Sequence, residues 1–280
     1  RYAPSPTGAL HLGNVQTALL AWLHARLNHG QFLLRIEDLD TPRVVAGSAD
    51  QIIADLEWLG LDWDGEVLYQ SQRLAHYQEA LEQLAKADLI YACYCSRKDI
   101  REATSAPHQN AGEYPQTCRH LSDQQQKDAA KLKQPALRLK TYPSSVTRDD
   151  FVVKRADGLF AYQLAVTVDD LHQQVTHVVR GADLADSRFN QLELGRLLRP
   201  DRVPIQYLHA PLVLDGQGDR LSKRDGSDSL QTLRSKGLLA EQVIAEMGHR
   251  LGLLERRVEQ INAYDLIKHL NVAQLENVFV

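Results

Sequence analysis

No stretch of this sequence has the apolar length needed to span a bilayer, and no signal peptide is visible. Membrane-embedded and secreted classes are therefore set aside, and the cytoplasm is the expected location. Internal repeats and low-complexity tracts are also missing. Cysteine is scarce. The three residues Cys93, Cys95 and Cys118 form an odd set, which argues against a disulfide framework and towards metal binding or free thiols. The net charge of −4 supplies no overall basic field, so an RNA partner would need a local basic stripe. The first residue is Arg rather than Met, so a few residues are expected ahead of it. Hydrophobic residues at 44% and charged residues at 24% are ordinary for a soluble globular protein. A chain of 280 residues can bury one sizeable core, or a core with an inserted subdomain.

The most informative segment that is present is Arg1-Tyr2-Ala3-Pro4-Ser5-Pro6-Thr7-Gly8-Ala9-Leu10-His11-Leu12-Gly13-Asn14. Two prolines and a glycine describe a stiff, turning loop. Asn14 reads as an N-cap, and Val15 to Leu27 carries apolar residues at helical spacing. Free N–H groups and the dipole make such a helix start an anion site, with His11 and the Gly13 backbone placed to meet a phosphate. Far downstream, Arg220-Leu221-Ser222-Lys223-Arg224 follows the turn-forming Asp215-Gly216-Gln217-Gly218-Asp219. A basic, glycine-flanked loop can close over a phosphate and stabilise charge that develops during nucleotidyl transfer.

Together these segments resemble the HIGH and KMSKS motifs of class I aminoacyl-tRNA synthetases. They stand here as His11-Leu12-Gly13-Asn14 and Arg220-Leu221-Ser222-Lys223-Arg224. Asn14 replaces the last His, arginines take the outer positions of the second motif, and Lys223 is kept. Arg1 to Gly8, Phe32-Leu33-Leu34-Arg35-Ile36-Glu37-Asp38-Leu39-Asp40, Gly158 to Ala165 and Val179 to Leu184 are similar to glutamyl-tRNA synthetases. Several motifs in the correct order, over roughly the first four-fifths of the chain, carry that likeness.

The resemblance implies that His11, Gly13, Asn14, Ser222 and Lys223 bind ATP, with His11 and Lys223 acting in catalysis. It implies that Arg1, Tyr2, Ala3, Pro4, Ser5, Glu37, Tyr162 and Arg180 bind L-glutamate. The residue types suit that ligand: a carboxylate answers an ammonium, and guanidinium forks answer two carboxylates. Which arginine meets which carboxylate is left open. Attack of the glutamate α-carboxylate on the α-phosphorus of ATP would give glutamyl-adenylate and pyrophosphate, with Mg²⁺ accompanying the ATP.

Zinc requires four ligands, so the three thiolates need a partner. By ordinary ligand chemistry that partner is His120, in a C-x-H pair with Cys118. The short glutamyl-synthetase paralogues carry C-x-C…Y-x-x-x-C, which implies Tyr114 instead. Tyr114 is preferred and His120 remains the competitor for this single structural zinc.

Phe32 to Ile36, Ala136 to Lys140, Phe151 to Lys154, Phe160 to Val168, Val175 to Val179 and Leu208 to Leu214 read as strands. Ser48 reads as the cap of a helix ending at Gly60, and Tyr77 to Leu89 as another helix. Interleaved strands and helices indicate an α/β fold with a parallel sheet. The expected fold is a Rossmann-type class I synthetase catalytic domain with an inserted zinc-containing subdomain and a short helical C-terminal region. The expected domains are 1–92 with 154–225 for catalysis, 93–153 for the zinc-binding insertion, and 226–280 for a helical region contacting an RNA stem.

Full glutamyl-tRNA synthetases continue into a long anticodon-binding portion after the second motif, and here only a short tail follows Lys223. The resemblance therefore narrows to the short paralogues that place glutamate on the queuosine base in the anticodon loop of tRNA(Asp). It implies ATP, L-glutamate and the tRNA(Asp) anticodon stem-loop as partners, no membrane, and a monomer. Lys131, Lys133, Arg138, Lys140, Lys154 and Arg155 are candidates to grip the RNA. Two alternatives stand beside this one: a truncated or partner-dependent glutamyl-tRNA synthetase charging a tRNA 3′ end, and a non-catalytic zinc-stabilised RNA-binding module.

Overall fold

A computed structural model describes residues 1–96, 98–100, 114–147, 149–213 and 229–280. Contacts gather them into two compact units. One comprises Arg1–Gln72, Thr176–Ala185 and Gln206–Val280, and the other Arg73–Val175 and Asp186–Ile205.

The first unit is built on parallel pairing. Tyr2 N donates to Leu33 O at 3.0 Å and Arg35 N to Tyr2 O at 3.1 Å, so the N-terminal segment lies beside the strand Arg35–Ile36. That strand pairs in parallel with Leu68–Tyr69, and His177–Gly181 pairs in parallel with Gln206–Ala210. Parallel neighbours need crossovers, which is why helices separate the paired segments in sequence. The helix Leu12–Leu27 presents Val15, Ala18, Leu19, Trp22 and Leu23 at helical spacing, and all five are buried. They share one core with Phe32, Leu34, Ile36, Ile52, Leu56 and Val179.

Four helices near the C-terminus, Leu230–Ser235, Ala240–Arg250, Ala263–Ile267 and Val272–Glu276, feed that same core. They contribute Leu230, Val243, Ile244, Met247, Leu266 and Leu275. Each fully buried side chain of this kind stabilises the fold by about 1.5–3 kcal/mol. These helices are therefore part of the unit that holds the His11 loop.

The second unit contains an antiparallel sheet of Ile90–Cys93, Ala136–Leu139 and Val152–Lys154, in that order. The helices Leu74–Lys86, Tyr162–His172 and Ser187–Leu198 share its core through Leu81, Leu84, Leu139, Val153, Leu164 and Leu194. Within this core Asp169 is fully buried. It accepts from Arg73 Nε at 2.6 Å and from Tyr77 Oη at 2.8 Å. Burying that charge is tolerable because such partners are in place.

Two sequence expectations change here. Phe160 to Val168 does not form a strand, because Tyr162–His172 is a helix. Its inward face includes Thr167, Asp169 and Asp170 beside Leu164 and Val166, so hydropathy concealed the helical period. Ser48 does not cap its helix, because Gly47 stands at that position. The Ser48 hydroxyl instead accepts from Gly8 N at 3.1 Å and donates to Gly8 O at 2.9 Å, which ties the proline-rich loop down. The polar stretch Ser122 to Lys133 folds into the helix Asp123–Leu132, started by a Ser122–Gln125 capping box and burying no side chain.

Candidate active site and metal centre

The helix start at His11 differs from its expected form. His11, rather than Asn14, is the N-cap, and the helix begins at Leu12. Gly13 N donates to His11 Nδ1 at 3.1 Å, while His11 N donates to Asn14 Oδ1 at 3.2 Å. This is a capping box in which an imidazole replaces the usual hydroxyl. Because Nδ1 accepts, the proton of the neutral ring is assigned to Nε2. Gly13 gives this ring room, since a Cβ there would lie 3.0 Å from His11 Cε1 and 3.1 Å from Nδ1 and would press the ring aside. A phosphate approaching the Gly13 amide competes with the His11 ring for the same donor. Ser222 and Lys223, the remaining ATP-binding expectations, lie outside the described residues.

The residues expected to hold glutamate fall in both units. Arg1, Tyr2 and Pro4 are buried, Ala3 is half-buried and Ser5 is exposed. Tyr2 belongs to the core, and burial pushes its phenol above the ordinary range. Glu37 N donates to Pro4 O at 2.9 Å, which holds the turn after the strand Arg35–Ile36 against the N-terminal loop. The Glu37 carboxylate lies 3.4 Å from Nη2 of the fully buried Arg35 and is itself almost wholly covered. Nearby, Asp38 accepts from Ser71 N at 2.8 Å and from Ser71 Oγ at 2.6 Å.

Arg180 is buried on the strand His177–Gly181. Its Nε donates to His209 Nε2 at 3.4 Å, and its Cζ sits 4.7 Å from the Tyr207 ring centroid. Gly181 answers no special turn, and a side chain there would displace the Asp183 carboxylate. Its φ is −62°, but a Cβ there would lie 2.5 Å from Asp183 Oδ1. Tyr162 lies in the other unit, at the first position of the helix Tyr162–His172.

The three cysteine sulfurs, from Cys93, Cys95 and Cys118, all lie within 4.8 Å of one another. The Tyr114 hydroxyl joins them, 3.3 Å from Cys93 Sγ and 3.7 Å from Cys95 Sγ. Cys93, Tyr114 and Cys118 are buried, whereas His120 is exposed and does not belong to this cluster. The donor set suits zinc: three soft sulfurs and one oxygen that can converge on a tetrahedral ion. Burial pushes the Cys95 thiol up to about 12, with Cys118 adding to the effect and the Tyr114 bond opposing it. Cys93 moves the other way. Burial raises it, but hydrogen bonding with Tyr114, Arg138 and the Cys95 backbone outweighs burial and holds it below the usual thiol range.

Sequence reading missed the surroundings of this cluster. Arg138, expected among the RNA-gripping cations, is buried against Tyr114 with its Cζ 3.7 Å from the ring centroid. Its one sequence signal is a charged residue between Leu137 and Leu139 in an otherwise apolar strand. Asp150, fully buried, collects Thr141 N at 2.7 Å, Thr141 Oγ1 at 2.8 Å and Tyr91 Oη at 2.8 Å. Three other candidate cations each meet a carboxylate: Lys131 meets Asp128, Lys140 meets Asp88 and Arg155 meets Asp157.

Residues 1–278 match the family "tRNA synthetases class I (E and Q), catalytic domain", and the chain belongs to that family. A "Glutamyl-Q tRNA(Asp) synthetase" of Nocardia farcinica is 47% identical over 94% of this chain and 88% of the relative. One of the same name from Symbiobacterium thermophilum is 42% identical over 98% of this chain and 93% of the relative. Among solved structures, a glutamate-tRNA synthetase from Elizabethkingia anophelis superposes with a TM-score of 0.80 at 29% identity. That match covers 99% of this chain but 66% of the other, so this chain spans just under two thirds of that protein's length. Among the described residues, no helix is long and apolar enough to cross a membrane.

Proposed function

We propose that this protein activates L-glutamate with ATP as glutamyl-adenylate and transfers the glutamyl group to the queuosine base in the anticodon loop of tRNA(Asp). The observation that carries this reading is the 47% identity across 94% of the chain with a relative named for that tRNA. The adenylation step needs no protein nucleophile, so the chain's contribution is positioning and stabilisation of phosphate charge. His11, Gly13 and Asn14 at the helix start, with Ser222 and Lys223, bind ATP and its accompanying Mg²⁺. Of these, His11 and Lys223 are the catalytic pair. Arg1 to Ser5, Glu37, Tyr162 and Arg180 bind glutamate, with Glu37 answering the ammonium and the arginines the carboxylates. Cys93, Cys95, Tyr114 and Cys118 hold one structural zinc. The working division of labour is catalysis in 1–92 and 154–225, metal binding in 93–153 and stem contact in 226–280. The protein works in the cytoplasm as a monomer.

The test is transfer of labelled glutamate to tRNA(Asp) carrying or lacking queuosine. Label is expected only on the queuosine-containing RNA, after glutamate-dependent ATP–pyrophosphate exchange. Label on the 3′ end of tRNA(Glu) would establish the charging enzyme instead. Absence of exchange in the zinc-loaded protein would leave a binding module.

A further inference from the structure

Hydrogen-bond donors with clear geometry are aimed at the atoms of the cysteine–tyrosine cluster, three of them from Arg138, Tyr94 and Cys118. Arg138 Nε donates to Cys93 Sγ at 3.3 Å, Tyr94 N to Cys118 Sγ at 3.3 Å, and Cys118 N to Tyr114 Oη at 3.1 Å. Only one of the three, Arg138, brings a full charge. Its guanidinium lies over the Tyr114 ring with Cζ 3.7 Å from the centroid, and its Nη1 donates to Asp150 O at 2.6 Å. The side chain is therefore clamped between a ligand sulfur, a ligand ring and a backbone carbonyl. It is 8% exposed, so water screens little of its charge.

A divalent ion held by three thiolates and a phenolate leaves a surplus of negative charge in a buried place. Such charge is costly unless it is compensated nearby. Arginine suits this position because its charge is permanent, its plane stacks on an aromatic face, and its fork donates in fixed directions. Asp150 does not cancel it directly, since the bond from Arg138 goes to the Asp150 main-chain oxygen. The Asp150 carboxylate is already engaged by Thr141, Tyr91 and Arg119, the last at 3.2 Å.

We infer that Arg138 is the charge-compensating positioning residue of the metal centre, and the group that makes a tyrosine tenable as the fourth ligand. This rests on the proposed zinc ligand set. Outer residues that orient and balance metal ligands typically change metal affinity by about 10–100-fold when removed.

The experiment uses the full chain loaded with zinc and follows metal release to a chromophoric chelator. Arg138→Met keeps the length and apolar stem but removes charge and donor, and it is expected to release zinc about 10–100-fold faster than the parent. Arg138→Lys, which keeps the charge without the fork, is expected to fall between the two. Far-UV circular dichroism of the loaded variants reports whether the fold survives. If Arg138→Met is insoluble, Arg138→Gln and Arg138→Lys carry the same comparison. The charge argument is isolated by Tyr114→His, whose neutral ligand lowers the surplus by one. In that background, removing Arg138 is expected to accelerate release by only a few-fold. Equal release from the parent and Arg138→Met, both folded, overturns the inference. So does an undiminished effect in the Tyr114→His background, which would leave Arg138 a packing role alone. A parent protein that binds no zinc would instead defeat the ligand set itself.

Discussion

The helix start at His11 and the cysteine–tyrosine cluster are both collections of polar groups, but they are satisfied in opposite ways. At the helix start, donors and acceptors answer one another: the imidazole takes the Gly13 amide and Asn14 takes the His11 amide. In the cluster, ligand-type atoms crowd together at 3.3–3.7 Å while a cation and backbone amides point at them. The Gly13 amide is already engaged by the His11 ring, so an anion that took this amide would exchange one hydrogen bond for another. The cluster gathers groups that gain most from sharing a cation. On the proposed reading, a transient substrate site and a permanent structural centre would differ in just this respect.

Four perturbations break or sharpen that contrast. The largest effect is expected from Lys223→Ala, which should lower ATP–pyrophosphate exchange by about 10²–10³-fold while zinc content stays unchanged. An unaltered exchange rate would remove Lys223 from the chemistry. Cys93→Ser should follow, with bound zinc dropping well below the parent stoichiometry as measured by atomic emission. Retention of a full equivalent would defeat the ligand assignment. Gly13→Ala pushes a methyl into the His11 ring, and exchange at limiting ATP should fall roughly tenfold without loss of zinc. The smallest chemical perturbation is Ser48→Ala. It removes both bonds to Gly8 and should cost about 1–3 kcal/mol in denaturant unfolding.

A pH measurement separates the first unit from the cluster in another way. His24 is buried against His177 and Phe279, and burial, with His177 adding to it, lowers its pKa to about 4. The unfolded imidazole titrates near 6.5, so between about 6.5 and 4 the unfolded chain binds the extra proton. The stability contributed by neutral His24 is therefore whole above pH 6.5 and lost as the pH falls towards 4. The thermal midpoint should decline over that window, and His24→Leu should flatten the decline. An equal slope in the variant would assign the decline to other groups.

Much of this was legible because it depends on local chemistry. A loop of Pro4, Pro6 and Gly8 before an apolar run had to start a helix near His11, and it does. The cap itself escaped because histidine is an unusual N-cap. Only the packing of its ring over a side-chain-free Gly13 shows why it serves here. The cysteine cluster was readable from spacing and family resemblance, whereas the placement of Arg138 against it was not. A strand position looks the same in sequence whether its charge meets solvent or a ring. Phe160 to Val168 misled because burial of Asp169 depends on Arg73 and Tyr77, which are distant in sequence. Polar residues with remote partners erase the periodicity on which a local reading relies.

The helices that follow residue 229 have a consequence for anyone shortening this protein. Their side chains pack against the same helix whose first turn carries His11, and Leu230 N reaches back to Leu10 O at 2.8 Å. Trimming them would uncover the core face of that helix rather than shed an accessory. A deletion series should therefore lose nucleotide chemistry in step with its thermal midpoint, leaving no minimal fragment that is active yet tailless.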